Sequence, residues 1–105
     1  MRITISHKKT KAEVIESVDR SFDQLFHGVA GIPVHVVVEQ KSWQGPILSF
    51  LVNAKMGLMS TPIRGTVEVT DHDLTVDADL GMLEKFLPAE TVRDVIGKQV
   101  KGLLK

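Results

Sequence analysis

The triplet Asp71-His72-Asp73 is the part of the sequence whose residue types come nearest to a metal site or a general base. Two carboxylates and an imidazole would supply ligands and a proton acceptor within three residues. The triplet, however, lies between two strand-like segments, and aspartate is frequent in turns because its side chain bonds the nearby backbone. The sequence therefore predicts a turn here rather than a site for chemistry.

The other ionisable residues offer no better arrangement. None of the histidine spacings is typical of metal ligands, and the positions expected to face the core are aliphatic, so no proton-transfer group is predicted inside. The sequence contains no cysteine, and it lacks the common hydrolase, nucleotide-binding and zinc-protease motifs. We expect no enzyme, no cofactor and no metal. The histidines are His7, His27, His35 and His72.

Length and composition predict a single globular domain over residues 1–105. The chain is 43% hydrophobic and 25% charged, and 105 residues suffice for one core but not two. Thirteen basic residues balance thirteen acidic ones, and aromatic residues are few, so we expect no nucleic-acid partner. No signal core follows Met1, and no apolar run could form a transmembrane segment. We therefore expect a cytoplasmic protein.

Alternating and helical patterns predict the element order β-α-β-β-β-β-α. Strands are expected over residues 2–6, 34–39, 47–54, 63–69 and 74–80, with a turn over residues 42–46. A first helix begins at Thr10, which forms a capping box with Glu13. A second begins near Pro88. These elements predict the α+β class, with an antiparallel sheet of about five strands and two helices packed on one face.

Both predicted helices are amphipathic. The apolar face of the first is expected to comprise Ala12, Ile15, Val18, Phe22, Leu25, Phe26 and Val29, with the helix ending near Gly28. The apolar face of the second comprises Val92, Val95, Ile96, Val100, Leu103 and Leu104. These faces are expected to cover the sheet.

The alternation of apolar and polar residues limits the register of the last predicted hairpin. The apolar residues of its two strands share one face only if paired residue numbers sum to an odd number. We predict Val67 opposite Val76 and Arg64 opposite Asp79, with a connection of two or four residues near position 71.

A second apolar surface is predicted on the face of the sheet away from the helices. If Leu48 and Phe50 face the helices, neighbouring residues of the same strand point outward, and the segment over residues 56–59 is too apolar for a merely solvated loop. The plain alternative is that this loop folds back over the open end of the sheet. The expected contact residues are Val37, Ile47, Leu51, Met56, Leu58 and Met59.

A set of motifs distributed over nearly the whole chain resembles those of a known family. They are Ile3-x-Ile5-x-His7, Trp43-x-Gly45, Leu48-x-Phe50, the segment 65–71, Leu74-x-Val76, Leu80-Gly81-x-Leu83 and Phe86. In these the chain resembles small bacterial proteins of the polyhydroxyalkanoic acid system, or granule-regulatory, family. It departs from the family pattern over residues 8–11 and 87–90, which leaves partner specificity open.

The resemblance implies an accessory protein associated with storage-polyester granules. Such a protein would act without catalysis, by binding a hydrophobic surface or a granule protein. Two alternatives stay open: a carrier of lipid-like ligands with a helix-grip fold, and a homo-oligomeric scaffold, most simply a dimer packed sheet to sheet. Structural roles are implied for Trp43, Gly45, Leu48, Phe50, Gly65, Leu80 and Gly81, of which Trp43, Leu48 and Phe50 are expected to anchor the core.

Overall fold

A computed structural model describes residues 1–22, 35–81, 85 and 89–104. Within these ranges the fold consists of one sheet and two helices, in the predicted order and in the predicted α+β class. The elements are β1 (Arg2–Ser6), α1 (Lys11–Ser21), β2 (His35–Gln44), β3 (Ile47–Met56), β4 (Met59–Val69), β5 (Asp73–Asp79) and α2 (Ala89–Leu103).

The five strands form an antiparallel sheet in the order β1-β5-β4-β3-β2. The predicted register of the β4–β5 hairpin is confirmed, since Val67 pairs with Val76 and Arg64 with Asp79. The last paired residues before the connection are Val69 and Leu74. Of the two predicted lengths of the connection, two or four residues, the structure therefore has four. The alternating pattern therefore predicted the faces of these two strands, and the simplest pairing that it allowed is the one found.

The core lies between the sheet and the helices, which pack on the same face. Helix α1 begins at Thr10, whose hydroxyl accepts the Glu13 N–H, while the Glu13 carboxylate accepts the Thr10 N–H, so the predicted capping box is confirmed. The Thr10 hydroxyl also donates to Oε1 of Glu13, and this bond, followed by the one from the Thr10 N–H, lowers the pKa of Glu13. The helices bury Val14, Val18, Phe22, Val92, Ile96 and Val100.

The apolar face predicted for α1 was wrong in one respect. Ala12 is exposed, and Val14 is completely buried together with Val18 and Phe22. These three residues are spaced four apart and therefore lie on one face of the helix. Ile15 lies beside that face and is only half-buried. Because alanine fits either face of a helix, its position carried little information. The predicted members Leu25, Phe26 and Val29, and the predicted helix end at Gly28, lie outside the described residues.

The turn predicted over residues 42–46 is shorter than expected. Strand β2 continues to Gln44, which pairs with Ile47, so the turn contains only Gly45 and Pro46. Gly45 has φ +59°, and the proline ring holds φ near about −65°, a combination typical of a type II′ hairpin turn. The glycine implied by the family resemblance is therefore required by the left-handed conformation of this position.

Gly65 occupies the centre of the sheet, on the helix-covered face beside Phe50. A Cβ at this position would clash with the carbonyl oxygen of Asp77 and would lie 2.7 Å from Cζ of Phe50. The Phe50 ring packs edge-on against Phe22 of α1, with 5.1 Å between the ring centroids. The absence of a side chain at Gly65 thus makes room for the aromatic pair that joins α1 to the sheet.

Candidate functional site

The β3–β4 hairpin extends past the end of β5 on one side. The last residue of β5 is Asp79, which pairs with Arg64, whereas β4 begins at Met59, five residues earlier. At about 3.4 Å per residue, the tip of the hairpin lies about 17 Å beyond the end of β5. On the other side, β2 accompanies β3 as far as the pair of His35 with Lys55, so only the end of the hairpin from Met56 onward extends past the described part of β2.

This tip is apolar. Met56 pairs with Met59, so the loop predicted over these residues is a two-residue turn of Gly57 and Leu58. Gly57 has φ +58°, which suits the first central position of such a turn. Leu58 is fully exposed (106%) and Met59 is 40% exposed. Leu58 does not fold back over the sheet, which was the plain alternative considered for this segment.

The base of the hairpin is held by specific contacts. On the uncovered face, the Ser60 hydroxyl donates to Oδ1 of Asn53 at 2.6 Å. On the helix-covered face Thr61 is buried, and Gly81, with φ +56°, passes so close that a Cβ there would lie 3.1 Å from the Thr61 hydroxyl. Leu80, which precedes it, is completely buried. The exposed tip is consequently carried on an ordered support.

Three other predicted contact residues lie on the uncovered face of the sheet, as expected. They do not form a continuous apolar patch with one another or with the tip, because Ile47 and the tip are at opposite ends of β3. Polar cross-strand neighbours separate them: Gln44 and Glu68 for Ile47, Gln40 and Arg64 for Leu51, and Asn53 for Val37. Ile47 is 38% exposed, and the other two are half-buried. The uncovered face thus carries isolated apolar residues in a polar surround.

The middle of the uncovered face is a shallow polar depression. Its central row runs across four strands through Ser42, Ser49, Thr66 and Asp77, and the depression has a volume of about 680 Å³. Small hydroxyl side chains in the middle of the row account for its depth. It can offer hydrogen bonds, but its side chains point to no particular class of ligand.

Trp43 is attached to α1 by an exposed hydrogen bond at the margin of the core. Its Nε1 donates to Oδ1 of Asp19 at 2.9 Å, and Nζ of Lys41 donates to the same oxygen at 3.0 Å. The Trp43 hydrogen bond, followed by that of Lys41, lowers the pKa of Asp19. Leu48 and Phe50 are buried as predicted, whereas Trp43 is only half-buried. The role of Asp19 could not be predicted from the sequence, since nothing local relates this residue to a tryptophan 24 residues away.

The triplet at residues 71–73 is a turn, as predicted. The Thr70 hydroxyl accepts the N–H groups of His72 and Asp73 and donates to the Asp73 carboxylate. His7 lies beside this turn: Lys9 N–H donates to its Nδ1, so its Nε2 carries the proton and donates to the Thr70 carbonyl at 2.8 Å. In the described ranges, no three histidine, aspartate or glutamate residues are arranged to hold a metal ion.

The space between α2 and the sheet bears on the carrier alternative. In the described part of the chain, the side chains that meet there are buried at 9% exposure or less, among them Ile3, Ile5, Val76, Ile96 and Val100. These side chains are therefore shielded from solvent by one another and by the two elements that carry them. Neither of the two described helices is long and apolar enough to cross a membrane.

Comparisons with protein-family models, with curated proteins and with solved structures found no match for this chain.

Proposed function

We propose that this chain is a non-catalytic accessory protein that binds a hydrophobic surface through the tip of the β3–β4 hairpin. The observation that carries the proposal is the complete exposure of Leu58 in the two-residue turn at the end of the hydrogen-bonded β3–β4 hairpin. A single exposed leucine on a flat surface would be unremarkable, but a turn of glycine and leucine between two methionines is apolar throughout.

Storage polyester is the surface that the family resemblance implies. Burying a fully exposed leucine or methionine side chain contributes roughly 1.5–3 kcal/mol. Because Met59 is only 40% exposed, Leu58 and Met59 together contribute about 2–4 kcal/mol before association costs. Binding by one molecule is therefore weak and reversible. A granule surface suits this strength, because it presents many equivalent sites at once.

A sheet-to-sheet homodimer has less support as the functional assembly. It would bury the uncovered face, where Ile47 and Leu51 stand among charged and hydroxyl side chains. Those polar groups would need partners in the interface, since a buried polar group without a hydrogen bond is costly.

The test is co-sedimentation with polyhydroxyalkanoate particles. We expect wild type to pellet with the particles and a Leu58→Ser/Met59→Ser variant to stay in the supernatant. Ile47→Ser is the matched control, because Ile47 is a similarly exposed apolar residue at the other end of β3. Equal pelleting of wild type and the tip variant would contradict the proposal. So would wild type that ignores the particles, whatever its oligomeric state.

A further inference from the structure

One edge of the sheet, strand β1, offers a backbone ladder next to a basic helix. In antiparallel pairs, hydrogen-bonded and non-bonded residues alternate. Met1 and Ala78 exchange both backbone bonds, and the His7 N–H donates to the His72 carbonyl. The backbone groups of Ile3 and Ile5, which lie between them at odd positions, therefore bond β5. Arg2, Thr4 and Ser6 direct their N–H and C=O groups to the sheet edge.

A groove of about 290 Å³ runs between this edge and α2. Its strand wall is formed by residues 3–5, and its helix wall carries three cations and one carboxylate. All four charged side chains are exposed, and the ion pairs formed among the described residues involve none of them. The charged residues are Arg93, Asp94, Lys98 and Lys101. The groove therefore has an excess of positive charge in a chain whose formal net charge is zero.

Gly97 lies in the middle of the helix wall. A Cβ there would meet nothing within 4 Å, so no neighbouring group of the described structure requires a glycine. Glycine weakens a helix interior relative to alanine. Its effect at this point is to widen the groove and to let another backbone approach α2 closely.

We propose that the β1 edge binds an extended acidic peptide, which adds to the sheet as a sixth strand. The peptide backbone would pair with Arg2, Thr4 and Ser6, and its carboxylates, on alternate residues, would lie against Lys98 and Lys101. Addition of a strand to a free edge combines main-chain hydrogen bonds for affinity with alternate side chains for specificity. This surface is separate from the β3–β4 hairpin tip and independent of its proposed role.

A second copy of the chain fits this edge less well. Pairing of β1 with β1 about a two-fold axis would bring the basic walls of both α2 helices towards the same seam. Like charges placed close together oppose association, whereas carboxylates of a peptide neutralise the wall.

The experiment measures fluorescence anisotropy of a labelled heptapeptide in which glutamate alternates with threonine, titrated with the intact chain. We expect saturable binding that weakens with salt and falls at least tenfold in Lys98→Glu/Lys101→Glu. Arg20→Glu/Lys55→Glu is the charge-matched control, since both residues lie outside the groove, and it should bind as wild type does. A lysine-threonine peptide should not bind.

Thr4→Pro distinguishes strand addition from simple charge attraction. The substitution removes an N–H that points to the edge and leaves the bonds between β1 and β5 in place, so it should abolish peptide binding while the chain stays folded by circular dichroism. Thr4→Val, which also lacks the hydroxyl that bonds Thr75, keeps the N–H and should bind. Binding that survives Thr4→Pro would overturn the proposal. The proposal would also be overturned if wild type did not bind the peptide, or if wild type were a dimer that Thr4→Pro dissociates. The same holds if an oligonucleotide displaced the labelled peptide and an unlabelled acidic peptide did not.

Discussion

The two edges of the sheet are built in opposite ways. Strand β2 is ten residues long, contains a bulge at Glu39, and turns Lys41 inward to an ion pair with Asp19. Strand β1 is half that length, pairs without a bulge, and lies beside the basic wall of α2. Bulges and inward-pointing charges are devices that prevent edge-to-edge association. The longer edge is thus protected by its own residues, and the shorter edge remains straight.

The two halves of the sheet are also attached to their helices by different kinds of contact. Around β2 and β3 the attachment uses an aromatic pair and the Asp19–Lys41–Trp43 hydrogen bonds. Around β1 it uses aliphatic side chains, including Ile3, Ile5 and Ile96. Exposed polar contacts beside the core add directional bonds on the β2 side, whereas the β1 side is attached by aliphatic packing, and no described strand pairs with the outer edge of β1.

The largest effect is expected from Phe50→Ala. Phe50 is 4% exposed and packs against Phe22, so its truncation leaves a cavity and should lower the free energy of unfolding by roughly 3–5 kcal/mol. Urea denaturation measures this change. Ile47→Ala in the same strand is the control and should change stability by about 0.5 kcal/mol or less. An unchanged midpoint for Phe50→Ala would contradict the role of the aromatic pair.

A smaller loss is expected from Asp19→Ala. The substitution removes the carboxylate that accepts from Trp43 and Lys41, although Lys41 keeps its hydrogen bond to the Asp19 carbonyl. The Asp19 side chain is also 52% exposed, so solvent competes for these groups. We expect a loss of about 1 kcal/mol. Glu16→Ala, which removes only the exposed pair with Arg20, should cost less and is the control.

The effect of Asp19 should also depend on pH. Because folding lowers the pKa of Asp19 below its usual value of 3.8, Asp19 contributes stability that is present above about pH 4 and is lost as the pH falls through the lowered pKa. Unfolding curves of wild type and Asp19→Ala should therefore converge in acid. If the difference stayed constant down to pH 2, the carboxylate would not be the stabilising group.

The smallest change, and a favourable one, is expected from Gly97→Ala. Its Cβ would enter open space, so the helix should gain roughly 0.5–1 kcal/mol in propensity. Gly102→Ala provides the comparison, because a Cβ at Gly102 also meets nothing within 4 Å, outside the groove. Thermal midpoints measure both. A lower midpoint for Gly97→Ala would mean that the groove does not have the open space described.

Local patterns predicted most of the fold. Alternation limited the β4–β5 register to pairs with an odd sum, of which the simplest choice was correct. The capping box followed from a threonine and a glutamate three residues apart. The hairpin turns were predicted too long because Gly45 and Gly57 interrupt the apolar alternation in the sequence. In the structure a two-residue turn keeps the pairing in register up to each glycine.

The candidate sites were less accessible to sequence reasoning. Leu58 and Met59 were identified by their apolar character, but their separation from Ile47 depends on the length of β3, which was predicted two residues too short. The basic groove combines residues of β1 and α2, which lie far apart in the sequence. Such sites depend on strand order, which alternation does not determine.

The pairing of β1 with β5 has a consequence for how the chain acquires its fold. Strands β2 to β5 follow one another through short connections, so each can pair soon after its neighbour has been made. Met1, in contrast, bonds Ala78 across 77 positions of the chain. Closing so long a loop carries an entropic cost that the local hairpins avoid. During synthesis, β1 therefore emerges first and must wait, with its apolar residues uncovered, for the last strand of the sheet.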